Sequence, residues 1–293
     1  MAVVATLIFG PGFFVSPAVR VALVIGVVVA VTSAPAGVFT ILRRQSFAGH
    51  SLADVGSTGG SAAYLFGIGA LWGFVGIGAL AAAAMEIVGV RQARSRDLAT
   101  GIVLGASLGL SALFLYWDTT AASTTGATIN VLFGSIYTIP SSTVVPVAIF
   151  AGLAIGILAL LYRPLLLSSL GADLAAARGV PVRLVGIGFF VALVLAVSLS
   201  ALTIGAILST ALLIGPAATA LRITRRPGTA IAAAAAVGTV ATWLGVLLSW
   251  DSYYWGSGHR GWPVSFFVVT LVFVFYLLAG IFRPRRPARQ AGS

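Results

Sequence analysis

The sequence contains neither cysteine nor lysine, and only six acidic residues and two histidines stand among its 293 residues. Without cysteine there are no disulfides, no thiolate metal sites and no cysteine nucleophile, and the redox compartment stays open. Without lysine the chain cannot form a P-loop of the G-x-x-x-x-G-K-[ST] kind, so it is not expected to hydrolyse ATP by that route itself. Two histidines in separate segments and no nucleophile-elbow motif leave little machinery for a membrane-embedded hydrolase. Charge of either sign is scarce: 8% of residues are charged, against about 25% in ordinary soluble domains. What fills the chain is apolar, 59% of it hydrophobic, with a mean hydropathy of +1.09. The composition predicts an all-α, polytopic bundle of membrane-spanning helices, residues 1–293 forming one transmembrane domain.

The net charge of +11 comes from arginines gathered in short segments between apolar runs. Nucleic-acid binding is a poor reading of that pattern, whereas cytoplasmic loops under the positive-inside rule and contact with anionic lipid account for it. The clusters are Arg43 and Arg44; Arg91, Arg94 and Arg96; Arg163, Arg178 and Arg183; Arg222, Arg225 and Arg226; and the tail 283–293. If all five lie inside, an even number of spans separates each consecutive pair, and each interval holds two helices of about 20 residues. One span before Arg43 and eight after it give nine, within a range of eight to ten. The loops left outside are Asp118 to Thr128 and the aromatic-rich Asp251 to Trp262, where Asp118, Asp251 and His259 are expected to be solvated. Leu184 to Leu221 is a tight fit for two spans with a turn near Thr203 to Gly205, the alternative being a single long tilted helix. The opening MAVVATLIFGPGFFV has no basic region before its apolar run, so a cleaved signal is not expected. The segment Ala2 to Val15 either crosses or lies in the interface.

Between Gln45 and Val90 the chain must also cross twice, yet Ser46 to Ser61 is too polar to face lipid. At 100° per residue His50, Asp54, Ser57 and Ser61 share one helix face, opposite Leu52, Val55, Gly59, Ala62 and Phe66. With a rise of about 1.5 Å per residue, Asp54 lies about 15 Å beyond Arg44, near the middle of the bilayer. A carboxylate at that depth costs at least about 2.5 kcal/mol, so it must meet a cavity, a partner charge or a bound cation. Imidazole nitrogen and carboxylate oxygen at i, i+4 suit divalent zinc, manganese or iron. Two ligands make a weak site, but a two-fold dimer that brought two such helices to its axis would assemble four. The bland alternative is that His50 and Asp54 pair with each other or with Arg43. Glu86 and Asp97 read as structural.

The stretch SSLGADLAAARGVPVR is too polar to cross and too short to be a domain. It reads as a short surface helix: Asp173 in the first turn, Leu174 and Ala177 on an apolar edge, Arg178 in the last turn, Gly179 as the stop. Its exposed face would meet a partner or the lipid headgroups. Gly69 with Gly73, and Gly101 with Gly105 and Gly109, have the small-xxx-small spacing of close helix packing. Pro216 predicts a kink or break in the helix after Gly205.

Taken in order, LRRQSFAGHSLADVGSTGG, LFGSIYTIPSS, LGADLAAARGVPVR and IGAILSTALLIGPAATA resemble the permease subunit of zinc, manganese and iron ABC importers. The likeness covers most of Leu42 to Ala220. It implies a homodimeric or heterodimeric permease of type II architecture in the cytoplasmic membrane of a prokaryote, two cytoplasmic ATPase subunits, and an extracytoplasmic metal-binding protein that hands over the cation. In that family the helix after the first arginine pair commonly carries Gly-Asp-x-x-x-His, whose Asp and His are taken as metal ligands. Here the matching positions read Gly49-His50-x-x-x-Asp54, the two ligand types exchanged and their spacing kept. The ATPase-contacting segment of the family maps onto Ser168 to Val182, within the coupling segment 164–183, with Asp173, Arg178 and Gly179 at matching positions and Leu174 beside them.

The expected function is therefore passage of a divalent metal ion by alternating access, with His50 and Asp54 as transient ligands, Ser57 and Ser61 lining the pathway, and no tightly bound cofactor. Two rivals stand beside it: a permease for a metal chelate or other small solute, and a proton-coupled secondary transporter, for which inverted repeats would speak and none is evident.

Overall fold

The structure, a computed structural model, describes residues 12–88, 93–120, 126–134, 136–255 and 261–281. Among these residues the secondary structure is helical throughout, and nine helices have 17 residues or more. They are α1 (Pro17–Leu42), α2 (Ser46–Leu65), α3 (Ala70–Val88), α4 (Ala93–Thr120), α6 (Val144–Leu160), α9 (Val182–Ile204), α10 (Ala206–Ile223), α11 (Pro227–Ser252) and α12 (Val264–Ile281). Three shorter helices join them: α5 (Ala127–Phe133), α7 (Tyr162–Leu170) and α8 (Ala172–Ala177). Seven helical stretches are long and apolar enough to cross a membrane, namely α1, α4 from Gly101, Ser141–Leu160, and α9 to α12. The remaining two long helices, α2 and α3, form the hairpin between the first two arginine clusters.

The bundle is built around α9, whose Phe189, Ala192, Leu193, Ala196, Leu199 and Ala201 are all fully buried. Around it stand α1, α3, α6 and α10, and α1 packs in turn along α10 and α11. The outer faces carry Ile102, Val145, Leu160, Leu184, Leu277 and Ile281, large apolar side chains more than a third exposed. Such an apolar exterior is what hydrocarbon, not water, would cover. Helix–helix approach inside the bundle depends on small residues: a methyl placed on Gly59 would fall 2.0 Å from the Gly73 carbonyl oxygen, and the reverse substitution meets Gly59 at the same distance. Gly73 therefore serves the packing expected of it, whereas Gly69 meets only its neighbour Trp72. Gly101, Gly105 and Gly109 differ from expectation: all three are exposed, and among the described residues nothing beyond their own helix lies within 4 Å of where their side chains would start.

The turn expected near Thr203 to Gly205 is a single residue. Gly205, with φ +88°, ends α9 and begins α10. Pro216 does not break α10, which runs continuously from Ala206 to Ile223 with the proline buried inside it. The chain discontinuity sits ahead of this helix, at Gly205, where a glycine permits a left-handed backbone. The surface helix expected in this stretch is α8: Asp173 occupies its first turn, Arg178 caps its end and Gly179 comes next with φ +77°, while a second helix, α7, precedes it across Gly171.

At the end of the bundle opposite the arginine clusters, Trp255 and Trp262 pack with Phe266 and Phe267, Trp262 stacking on Phe267 with ring centroids 6.1 Å apart. This is the aromatic belt expected of Asp251 to Trp262. Asp118 departs from expectation: it ends up inside α4 and fully buried, not solvated in a loop. It sits within electrostatic reach of Tyr64, whose hydroxyl bonds Asn130. Asp251 lies in the last turn of α11, partly buried. His259, most of Ala2 to Val15, Arg91 and the tail 283–293 lie outside the described residues, as do the side chains of Glu86 and Asp97.

Candidate functional site

The polar helix α2 folds where the bundle can cover it. Its apolar edge, Leu52 and Val55, is buried in the core with Phe39 and Leu213, and Gly56, Gly59 and Gly60 let Phe74 and Gly73 of α3 come close. Its hydroxyls are satisfied without water. Ser51 donates to the Phe47 carbonyl, Ser61 to that of Ser57, and Thr58 reaches across to the Ser107 carbonyl of α4. These bonds explain how a segment too polar for lipid is held inside a membrane bundle.

On this helix the structure brings the two predicted ligands together. His50 Nε2 lies 3.4 Å from Asp54 Oδ2. Two donor atoms each about 2.1 Å from one tetrahedral ion stand about 3.4 Å apart, so the pair already has the spacing of two corners of such a site. The Asp54 side chain is 13% exposed and that of His50 46% exposed, an opening on a helix otherwise largely enclosed. Among the described residues no group of three His, Asp or Glu side chains gathers. The pair thus stands alone within the described chain, and its imidazole is the half that remains open to the outside.

Thr210 of α10 is the member of the site that sequence reasoning missed. Its Oγ1 is 3.1 Å from His50 Nδ1. With the imidazole proton on Nε2, toward the carboxylate, Nδ1 accepts from the threonine hydroxyl. With Nε2 given to a cation, Nδ1–H donates to the same oxygen. A hydroxyl that can do either fixes the ring orientation in both states, as outer partners of ligating histidines do. The signal was faint: Ser209-Thr210 in an apolar helix, a few residues after Gly205.

Ser57 and Ser61 are on the same face but are closed off. They are 2% and 0% exposed, and their hydroxyls approach Ser111 of α4 at 3.2 and 3.3 Å. Any part they take in a passage requires α4 to move away from α2. The residues expected to meet an ATPase stand apart from the pair, in the arginine-rich end of the fold: Asp173, Leu174, Arg178 and Gly179 are all exposed. Of the bland alternative, the pairing of His50 with Asp54 is present, whereas Arg43 turns toward α7 and donates from Nη1 to Ser168 Oγ at 2.7 Å.

Residues 16–281 match the model of the ABC 3 transport family. The manganese transport system membrane protein MntC of Listeria innocua is 30% identical over 266 residues, 90% of this chain and 90% of that one. A probable iron transport system membrane protein of Haemophilus influenzae is 27% identical, over 84% of this chain and 83% of its own. Among solved structures, PsaBC from Streptococcus pneumoniae in complex with Fab superposes with a TM-score of 0.80 at 24% identity, covering 93% of this chain and 94% of that one. A putative metal-chelate type ABC transporter in an inward-facing conformation gives 0.72 at 18% identity, over 90% and 85%. This multi-pass membrane protein belongs to the ABC 3 transport family.

Proposed function

We propose that the chain is the permease subunit of an ATP-driven importer for a divalent metal ion, zinc, manganese or iron, with manganese favoured by the names of its relatives. The observation that carries this reading is the His50–Asp54 pair, spaced for a shared ion, held on an enclosed polar helix and oriented by Thr210. Two permease copies, or this chain and a related one, supply the remaining ligands across a dimer axis. Cytoplasmic ATPase subunits drive the switch through the segment around Asp173 to Gly179, and an extracytoplasmic metal-binding protein delivers the ion to the opposite end.

The chemistry of passage rests on weak, divided ligation. A nitrogen and an oxygen from each of two copies replace part of the hydration shell, and separating the copies halves the ligand set and releases the ion. A closed cage within one chain would bind too well to let go. In the exchanged order of this sequence, His50 meets the ion nearer the arginine-rich end and Asp54 one turn deeper.

Metal-dependent uptake by the permease reconstituted with its ATPase and binding protein tests the reading. Manganese uptake that requires ATP and competes with zinc or ferrous iron supports it. Uptake only of a chelated metal, or uptake driven by a proton gradient without the ATPase, would replace it by one of its rivals.

A further inference from the structure

At the arginine-rich end of the fold, three segments meet at one side chain. Arg43 caps α1, Arg44 turns the chain with φ +56°, and α2 starts at Ser46, four residues before His50. The Arg43 guanidinium donates to Ser168 Oγ at 2.7 Å and to Gln45 Oε1 at 3.3 Å, and it lies 5.2 Å from the Phe189 ring centroid. Ser168 in turn donates to the Leu165 carbonyl at 3.1 Å. The serine hydroxyl is thereby used as both donor and acceptor, and the arginine is held by a charge-assisted bond on one side and an aromatic face on the other.

Ser168 belongs to the last turn of α7, and only Gly171 separates α7 from α8, the exposed helix of Asp173 and Leu174. The α7 side of this chain of contacts is stiff. Leu165 is fully buried with Phe39 and Phe189, and Val180, just past Gly179, packs on the same cluster. On the α2 side the chain turns at an elbow: Arg44 is the single non-glycine residue with positive φ among the described residues. A non-glycine residue in that region carries backbone strain, held by its surroundings and released if the elbow opens. With a stiff element on one side and a strained elbow on the other, joined through one guanidinium, a displacement of α7 becomes a tilt of α2.

We infer that Arg43 is a positioning residue of the transport cycle: through Ser168 it transmits movement of α7 and α8 to the root of α2, and so to the His50–Asp54 pair. The inference rests on the proposed function for the meaning of that movement, but the movement itself can be read without any metal.

The test uses the permease–ATPase complex in lipid nanodiscs, with a bimane fluorophore on Phe47→Cys, a position half exposed at the start of α2 in a chain that has no other cysteine. ATP with vanadate is expected to shift the bimane emission in the otherwise unchanged complex. In Ser168→Ala and Arg43→Gln the shift is expected to fall at least threefold, with ATP hydrolysis within twofold of the parent, and Arg43→Lys is expected to restore part of it. An undiminished shift in Ser168→Ala and Arg43→Gln overturns the inference. So does the absence of any shift in the parent, or a loss of ATPase or assembly in both variants, which would make the contact a brace. If the shift behaves as expected and the full complex moves no manganese, zinc or iron, the proposed function fails and the transmission role stands.

Discussion

Gly134 and Gly205 meet backbone against backbone. A Cβ on Gly205 would lie 2.5 Å from the Gly134 nitrogen, and one on Gly134 would lie 2.4 Å from the Gly205 nitrogen; both residues have positive φ, +71° and +88°. This contact joins the end of α5 to the break between α9 and α10, and it allows two long helices to succeed one another with a single linking residue. Gly205→Ala adds both a left-handed backbone penalty of about 1–2 kcal/mol and an unrelieved clash with backbone. The expected result is a marked fall in the thermal midpoint of the purified protein in detergent, or failure to accumulate in the membrane. An unchanged midpoint would show that the helices can separate here freely.

The glycines of α2–α3 and of α4 make opposite predictions. Gly59→Leu drives a side chain into the Gly73 backbone and should disrupt the α2–α3 hairpin, whereas Gly105→Leu meets nothing within the chain. Thermal unfolding of the two variants should differ by several degrees, Gly59→Leu being the unstable one. Equal midpoints would contradict the packing described for α2.

Much of this architecture was legible in the sequence because membrane insertion leaves a coarse record. Arginine clusters and apolar run lengths bracket the long helices, although within the charge-free run 119–162 nothing marks α5 or the start of α6, and the need to cross twice in a short stretch points to the turn at Gly205. That His50 and Asp54 would meet was legible for a related reason: ionisable groups are conspicuous where they are costly, and i, i+4 spacing puts them on one face. What escaped was decided by contacts between segments far apart in sequence. Asp118 sits at the end of an apolar run and looks like a loop charge until α4 is seen to continue past it. Small residues at regular spacing announce close packing without naming the partner, so Gly73 and Gly105 look alike on paper and differ in the fold. Thr210 and Ser168 are ordinary hydroxyls whose importance comes from the side chains 160 and 125 residues away that reach them.

Thr210→Val keeps the shape of the side chain and removes the hydroxyl that orients His50. Losing an outer partner of a ligating histidine typically lowers metal affinity about 10–100-fold. Manganese dependence of uptake should shift by about that factor in half-saturating concentration while the maximal ATPase rate is kept. Thr210→Ser should recover most of it. A Thr210→Val variant with parental metal dependence would show that the hydroxyl does not position the ring.

Tyr137 sits in the connection before α6, outside the spanning helices, where its hydroxyl donates to the Val246 carbonyl at 2.7 Å. Burial pushes its pKa up to about 12, partly offset by a bond with Ser249. The folded protein thus holds this proton more tightly than the unfolded chain, which releases it near 10. The stability it contributes is full below pH 10 and is lost as pH rises through 12, at most about 2.7 kcal/mol in all. The difference in thermal midpoint between the parent and Tyr137→Phe should be steady from pH 7 to about 9.5 and shrink above that. A difference that is constant to pH 12 would mean that the phenol titrates alike in both states.

The most direct measurement is ATP-dependent manganese uptake into proteoliposomes carrying the permease, its ATPase and its binding protein, with ATP hydrolysis monitored in the same vesicles. His50→Ala and Asp54→Ala are each predicted to lower uptake at limiting manganese by at least about tenfold, with ATP hydrolysis preserved. Uptake at the parental rate in both variants would contradict the assignment of this pair to the path of the ion.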